Sequence, residues 1–258
     1  FAKENHPSFS SAELGTIFSI YSVVFLVFSV ALGNQLVKMG RKRSVVVGSV
    51  TMSIATLLYG VAALCESDWA FYAVSMLARA GQGAADALAM TAIMSIVAVE
   101  WSRDKDVYVG YVSAASALGV MAGPVVSSIA ITYMPYFELQ ASLALFIFCS
   151  TTTAACFIPE RINSDTTEAE VVEDVPYLVF LMNPRVLAAL LVGFVSSINL
   201  NFMGPMYVLR LEELGVTEFY AGFFFALNAL AFVLYSIIAG NLANFIGRRR
   251  LLTVNVLL

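Results

Sequence analysis

The sequence is poor in the residues that most catalysis and most soluble folds depend on. His6 is the only histidine, and Cys65, Cys149 and Cys156 are scattered without a CxxC pair, which excludes a disulfide scaffold and a Cys/His metal site. No nucleophile and base pair, metal cluster or phosphate-binding loop is found, so no enzyme, cofactor or bound metal is expected. Charge is scarce as well: Asp, Glu, Lys and Arg make up 12% of the 258 residues, against about 25% in an ordinary soluble domain. A net charge of -4 and a pI near 5.0 argue against nucleic acid as a partner, because phosphate binding needs a clustered basic face. What replaces these residues is apolar: 60% of the chain is hydrophobic. So few polar residues cannot cover the surface of a water-soluble fold of this length, and the lipid bilayer is the expected partner and solvent.

Apolar runs of bilayer-spanning length, roughly 20 residues, occur seven times, at about 14–37, 44–64, 70–99, 107–133, 139–158, 186–207 and 219–243. An eighth starts at Leu251 and stops at Leu258, and the chain opens on Phe1 in a polar segment. This reads as a fragment of an all-α polytopic membrane protein. Lys and Arg mark cytoplasmic loops. Lys38, Arg41, Lys42, Arg43, Arg103, Lys105, Arg161, Arg185, Arg248, Arg249 and Arg250 all fall in alternate loops, eleven of the 14 basic residues. The opposite loops hold Lys3 and Arg210 alone, so the first loop is expected outside and Lys38 to Arg43 inside. The long polar connection at 159–185 carries Glu160, Asp165, Glu168, Glu170, Glu173 and Asp174 with Pro159, Pro176 and Pro184. It predicts a cytoplasmic acidic linker, with one helical bundle over 1–158 and the start of a second over 186–258.

An internal repeat sharpens the architecture. Gly33-Asn-Gln-Leu-Val-Lys-Met-Gly40 is followed by Arg41, Lys42 and Arg43; Gly240-Asn-Leu-Ala-Asn-Phe-Ile-Gly247 is followed by Arg248, Arg249 and Arg250. The copies are separated by six spans, an even number, so both keep the same side of the membrane, as parallel repeats about an axis along the membrane normal require. In each, the first glycine admits a close helix neighbour, the second suits a turn with positive φ, and the basic triplet is expected to meet lipid headgroups and helix C-terminal carbonyls.

These loops resemble the G-x-x-x-D-x-x-G-R-R/K signature of the major facilitator superfamily of secondary transporters, and the likeness extends along essentially the whole chain. It implies a twelve-helix protein of which helices 2 to 8 are complete here and helix 9 is truncated, working by rocking of two halves. Val37 and Asn244 stand where the signature has its acid. In the family that acid helps latch the cytoplasmic side, so a charge-based latch at this position is missing and only a neutral contact at Asn244 remains.

The third run contains Arg79, Gln82, Gly83 and Asp86. Arg79 and Asp86 lie at bilayer depth, where an ionisable group costs roughly 2.5–3.5 kcal/mol on insertion scales and usually faces a bundle interior or a watery cavity. Seven residues is nearly two helical turns, so all four residues share one face. This stretch resembles the family's R-x-x-Q-G motif, which in proton-coupled exporters is associated with proton transfer. Arg79 stays charged at working pH and is expected to tune an acid or bind an anion, leaving Asp86 as the titrating group. A purely structural pair, satisfied by other helices, is the alternative.

Gly119, Gly123 and Pro124 in the fourth run resemble the first half of the antiporter signature G-x-x-x-G-P-x-x-G-G, with Ser127 and Ser128 at its final glycines. Close helix contact at the two glycines and a bend at Pro124 are expected. Asn199, Asn201 and Asn228 are candidates for the substrate cavity, or equally for helix-to-helix hydrogen bonds. The segment 33–40 and Leu88-Ala-Met-Thr-Ala-Ile are similar to the branch of vesicular amine and polyamine transporters and drug exporters. The expectation is therefore a monomeric carrier exchanging a small organic solute, a cation or amine, against protons. Uniport or symport of a sugar or organic anion, with Arg79 binding a carboxylate, and a membrane receptor or scaffold without flux are the alternatives. The plasma membrane and an organellar membrane are equally compatible with the sequence.

Overall fold

In the computed structural model, the described residues are 9–32, 35–164, 182–184, 186–188, 190–192, 194–195, 214, 218–247 and 250. Their regular structure is helical: α1 (Ser11–Leu32), α2 (Gln35–Met39), α3 (Arg41–Ala62), α4 (Asp68–Glu100), α5 (Lys105–Ala130), α6 (Tyr136–Phe157), α7 (Arg161–Ser164) and α8 (Glu218–Ile246). Four of these, α1, α3, α4 and α6, are long and apolar enough to cross a bilayer, among the described residues. They correspond to the first, second, third and fifth expected spans, and α5 and α8 fall on the fourth and seventh. Most of the sixth span and the start of the eighth lie outside the described residues.

Local chemistry sets the ends of these helices. Ser10 and Glu13 form a reciprocal capping box at the start of α1: the Ser10 backbone N–H donates to Glu13 Oε2 at 2.8 Å, and the Glu13 N–H donates to Ser10 Oγ at 3.2 Å. Of the expected first span, 14–37, the residues up to Leu32 lie on α1 and Gln35–Met39 form α2; 33 and 34 lie outside the described residues. Gly40 stops α2 with φ of 86°, and Gly247 follows α8 with φ of 90°. Both are second glycines of the repeated loop, at the positive φ expected there. A side chain at that φ is strained, which is why glycine serves.

Contacts group the chain into two compact units, residues 1–105 with 127–169, and 106–126 with 170–258. Most of α5 groups with the second unit. In the first unit α4 packs between α1 and α3, and α6 packs on the other side of α3. The buried side of α4 is small, with Ser75, Ala78, Gly83, Ala85, Ala87 and Ala92. Small side chains let helix backbones approach closely where lipid supplies no hydrophobic drive between helices. Ser53 Oγ then donates to the Ala144 carbonyl at 2.6 Å, tying α3 to α6. At one end Ile17, Ala62 and Phe71 form a core cluster; at the other Leu36, Val45, Leu88, Ala92, Ile96 and Ile162 do. Large apolar side chains such as Leu26 (65% exposed) and Phe146 (69%) cover the outside, as expected of a surface solvated by acyl chains.

Candidate functional site

The site is built on α4, which at 33 residues is about 50 Å long, longer than a hydrocarbon core of about 30 Å. Gly83 sits where α4 meets α1. A Cβ there would fall 3.1 Å from the Tyr21 carbonyl carbon and 3.2 Å from the Phe25 amide nitrogen, and would overlap the Tyr21 carbonyl oxygen. Glycine therefore lets the two backbones touch, and this brings the Tyr21 side chain over the next turn of α4. The Tyr21 hydroxyl donates to Asp86 Oδ2 at 2.5 Å, and the Tyr21 ring stacks beside Phe25. A carboxylate at bilayer depth thus has a phenolic donor from the neighbouring helix.

Two turns earlier, Arg79 occupies an aromatic setting. Its guanidinium carbon lies 4.6 Å from the Tyr59 ring centre and 5.1 Å from that of Phe18. Arg79 Nη1 donates to Gln82 Oε1 at 3.2 Å, and the buried Gln82 passes the chain on, its Nε2 donating to Thr56 Oγ1 at 3.1 Å. Each cation–π contact contributes roughly 0.5–2 kcal/mol. Two of them with a charge-assisted hydrogen bond are comparable to the cost, roughly 2.5–3.5 kcal/mol, of placing an arginine in a span. The four predicted residues are thereby brought to one region of the first unit. Arg79 and Asp86 nevertheless use different partners: no ion pair joins them among the described residues. Helix α1 supplies Phe18 and Tyr21, and α3 supplies Thr56 and Tyr59. Sequence reasoning missed all four, because lone hydroxyls and rings in apolar runs look like ordinary span residues. The signal available was a tyrosine and a threonine within otherwise apolar helices.

In the basic turn after Gly40, the described contacts run to α4 and to the start of the linker. Arg41, Lys42 and Arg43 form the first turn of α3, at the positive end of its macrodipole, where cations are unfavourable. Anionic and polar partners offset this. Lys42 Nζ bonds Glu160 Oε1 at 2.6 Å, the Lys42 N–H donates to Asn163 Oδ1 at 3.0 Å, and Arg41 Nε donates to Ser95 Oγ at 2.9 Å. Arg161 pairs with Glu100 at 2.9 Å. The Lys42 ammonium, by hydrogen bond and then by charge, holds the Glu160 carboxyl below its ordinary range. Val37 removes the usual acid, yet a charged contact exists, supplied from the start of the linker.

The other expected residues are less gathered. At Gly119 and Gly123, for which close helix contact was expected, a Cβ would meet no described atom within 4 Å. The close approach of α5 is made at Gly110 instead, where a Cβ would fall 2.5 Å from the Ser236 carbonyl oxygen of α8. Small-residue spacing makes a face able to accept a helix, but does not place one there. The helical assignment of α5 continues through Pro124 to Ala130. Gly240, Asn228 and Asn244 fall on α8; Gly33, Asn199, Asn201, Arg248 and Arg249 lie outside the described residues. Between α5 and α8 the second unit has an open groove of about 370 Å³ whose lining includes Asp106, Ser113, Tyr235 and Ser236.

A helical, lipid-faced bundle with a paired Gly-turn-basic loop and an Arg/Asp helix face defines an integral multi-pass membrane protein of the transporter-like kind. The description of the Major Facilitator Superfamily matches residues 2–258, and the chain belongs to that family. It is 31% identical over 115 residues to the MFS-type transporter SLC18B1 of Homo sapiens, covering 45% of this chain and 25% of that protein. It is 22% identical over 253 residues to Multidrug resistance protein 2 of Bacillus subtilis (strain 168), covering 94% of this chain and 61% of that one. The match to the corresponding Rattus norvegicus transporter is 30% over 115 residues, again 45% of this chain and 25% of the relative. The aligned stretches thus span between a quarter and about three-fifths of these relatives. No solved structure matches the chain.

Proposed function

We propose that this chain belongs to a secondary transporter that exchanges a small organic solute, an organic cation or amine, against protons by alternating access. The observation that carries this reading is Asp86, a carboxylate within a long membrane helix that accepts a hydrogen bond from Tyr21. An intramembrane carboxylate with one phenolic donor has two stable uses: charged, it attracts a cation; protonated, it carries a proton across. A proton and a cationic solute that compete for one carboxylate are coupled without a further device. Arg79 is held apart from Asp86 by its own ring and amide contacts and stays charged throughout. Membership of the superfamily and the names of the transporter and multidrug-resistance relatives support the same reading.

The test is uptake of a panel of radiolabelled amines into proteoliposomes, with and without an imposed pH gradient. The expected result is gradient-driven accumulation by the wild-type protein and its loss in Asp86→Asn, with solute counterflow retained. Unchanged gradient-driven uptake in Asp86→Asn would remove the role assigned to this residue.

A further inference from the structure

Two buried donors on α4 have no acceptor among the described residues. Ser75 Oγ and Arg79 Nε are both enclosed and without a hydrogen-bond partner among the described residues, and Ser75 is 0% exposed. They are four residues apart, one helical turn, on the same face. Buried donors are nearly always satisfied, so a coincident pair asks for an acceptor from elsewhere. The charge asks for the same thing. The Arg79 guanidinium has one amide oxygen and two aromatic rings around it, and the ion pairs described elsewhere in the first unit, Lys42 with Glu160 and Arg161 with Glu100, do not involve it. Asp86 gives its Oδ2 to Tyr21 two turns away.

From this we infer that Ser75 and Arg79 form a binding site for a small monovalent anion, which accepts from the Ser75 hydroxyl and from the Arg79 Nε–H. A water molecule would meet the two donors and bring no charge; an anion meets the donors and adds a direct counter-charge to the guanidinium in a low-dielectric setting. The neighbouring rings suit it, since aromatic edges are positive and faces negative: the faces of Tyr59 and Phe18 hold the cation, and their edges tolerate the anion. A free halide and a short carboxylate present the same chemistry to these donors. The site is distinct from the Asp86 carboxylate, and it does not depend on the transport reading.

The test reads binding. The intact protein in lipid nanodiscs is followed by thermal unfolding at constant pH and ionic strength while gluconate is replaced by chloride, bromide or acetate. A saturable rise in the midpoint with a small anion is expected. A rise with the halides alone identifies a free-ion site, and a rise with acetate alone identifies a site for a carboxylate group; each supports the shared chemistry. Arg79→Lys keeps the charge and loses the Nε–H, and Ser75→Ala loses the hydroxyl; each should raise the half-saturating anion concentration by about tenfold, the usual consequence of losing one charge-assisted hydrogen bond. Ser75→Ala also carries a sign. In gluconate it removes an unsatisfied buried hydroxyl, so the midpoint should stay or rise, whereas in chloride the wild-type protein should be the more stable. The same midpoint in every anion would overturn the inference, as would an anion effect of equal size in wild type and both variants. Failure of this test leaves proton-coupled flux untouched, and loss of flux leaves anion binding untouched.

Discussion

Adding one methyl group at Gly83 tests how α1 and α4 are joined. The Cβ of Gly83→Ala would meet backbone atoms of Tyr21 and Phe25 on α1, at 3.1 and 3.2 Å and closer still at the Tyr21 carbonyl oxygen. Backbone cannot rotate out of the way as a side-chain tip can, so α1 must move. Overpacking costs about 1–3 kcal/mol, and a backbone collision belongs near ~3. Replacing glycine by alanine inside a helix returns about 1 kcal/mol, leaving a net loss of about 2 kcal/mol, roughly a 30-fold fall in the ratio of folded to unfolded protein. The control is within the same chain. At Gly119 and Gly123 nothing described lies within 4 Å, so Gly119→Ala and Gly123→Ala should be neutral or stabilising by up to about 1 kcal/mol. Thermal unfolding of the three purified variants, followed by intrinsic fluorescence, gives the comparison. A midpoint for Gly83→Ala at or above that of wild type would refute the assigned helix crossing. Equal losses at Gly83 and Gly119 would show that α5 is packed as tightly as α4, against the structure.

Tyr21→Phe removes the donor to Asp86 while keeping the ring. A hydrogen bond to a charged group is worth about 1.5–3 kcal/mol, so gradient-driven amine uptake should fall by at least about tenfold, and Tyr21→Phe should add little in the Asp86→Asn background; additive losses in the double variant would show that the two residues act separately. For the turn after Gly40, the Glu160 carboxyl is held below its ordinary value by Lys42. A group depressed in this way contributes stability that is complete above its unfolded-state value and is lost as pH falls through the lower folded-state value. Wild type should therefore exceed Glu160→Gln in thermal midpoint near neutrality. The difference should vanish in acid below the usual carboxylate range and shrink in high salt, and a gap that is constant with pH would contradict the ion pair.

The positions of the helices were legible because membrane spans announce themselves by length and hydropathy. The positive-φ glycines Gly40 and Gly247 were legible because a glycine followed by three cations has few uses. The shared face of Arg79, Gln82, Gly83 and Asp86 followed from helical spacing alone. Their partners did not. A helix in lipid is apolar on its outer face as well as its buried one, so periodicity does not reveal that Tyr21 and Phe18 of α1 turn toward α4. At Gly119 and Gly123 no described atom lies within reach of an added Cβ, and among the described residues the close contact of α5 is made at Gly110. The Lys42 to Glu160 pair joins residues more than 100 positions apart, and no local pattern links a loop cation to one acid among the six in the linker.

The proposed coupling rests on one carboxylate shared by a proton and a cationic solute. Proton release can be measured directly, with a pH-sensitive dye and weakly buffered purified protein, as a tetraalkylammonium or another permanently charged amine is added near neutral pH. The account predicts saturable proton release from wild-type protein and none from Asp86→Asn. Saturable binding of the same amine to wild-type protein with no proton released, or release that persists in Asp86→Asn, would contradict it.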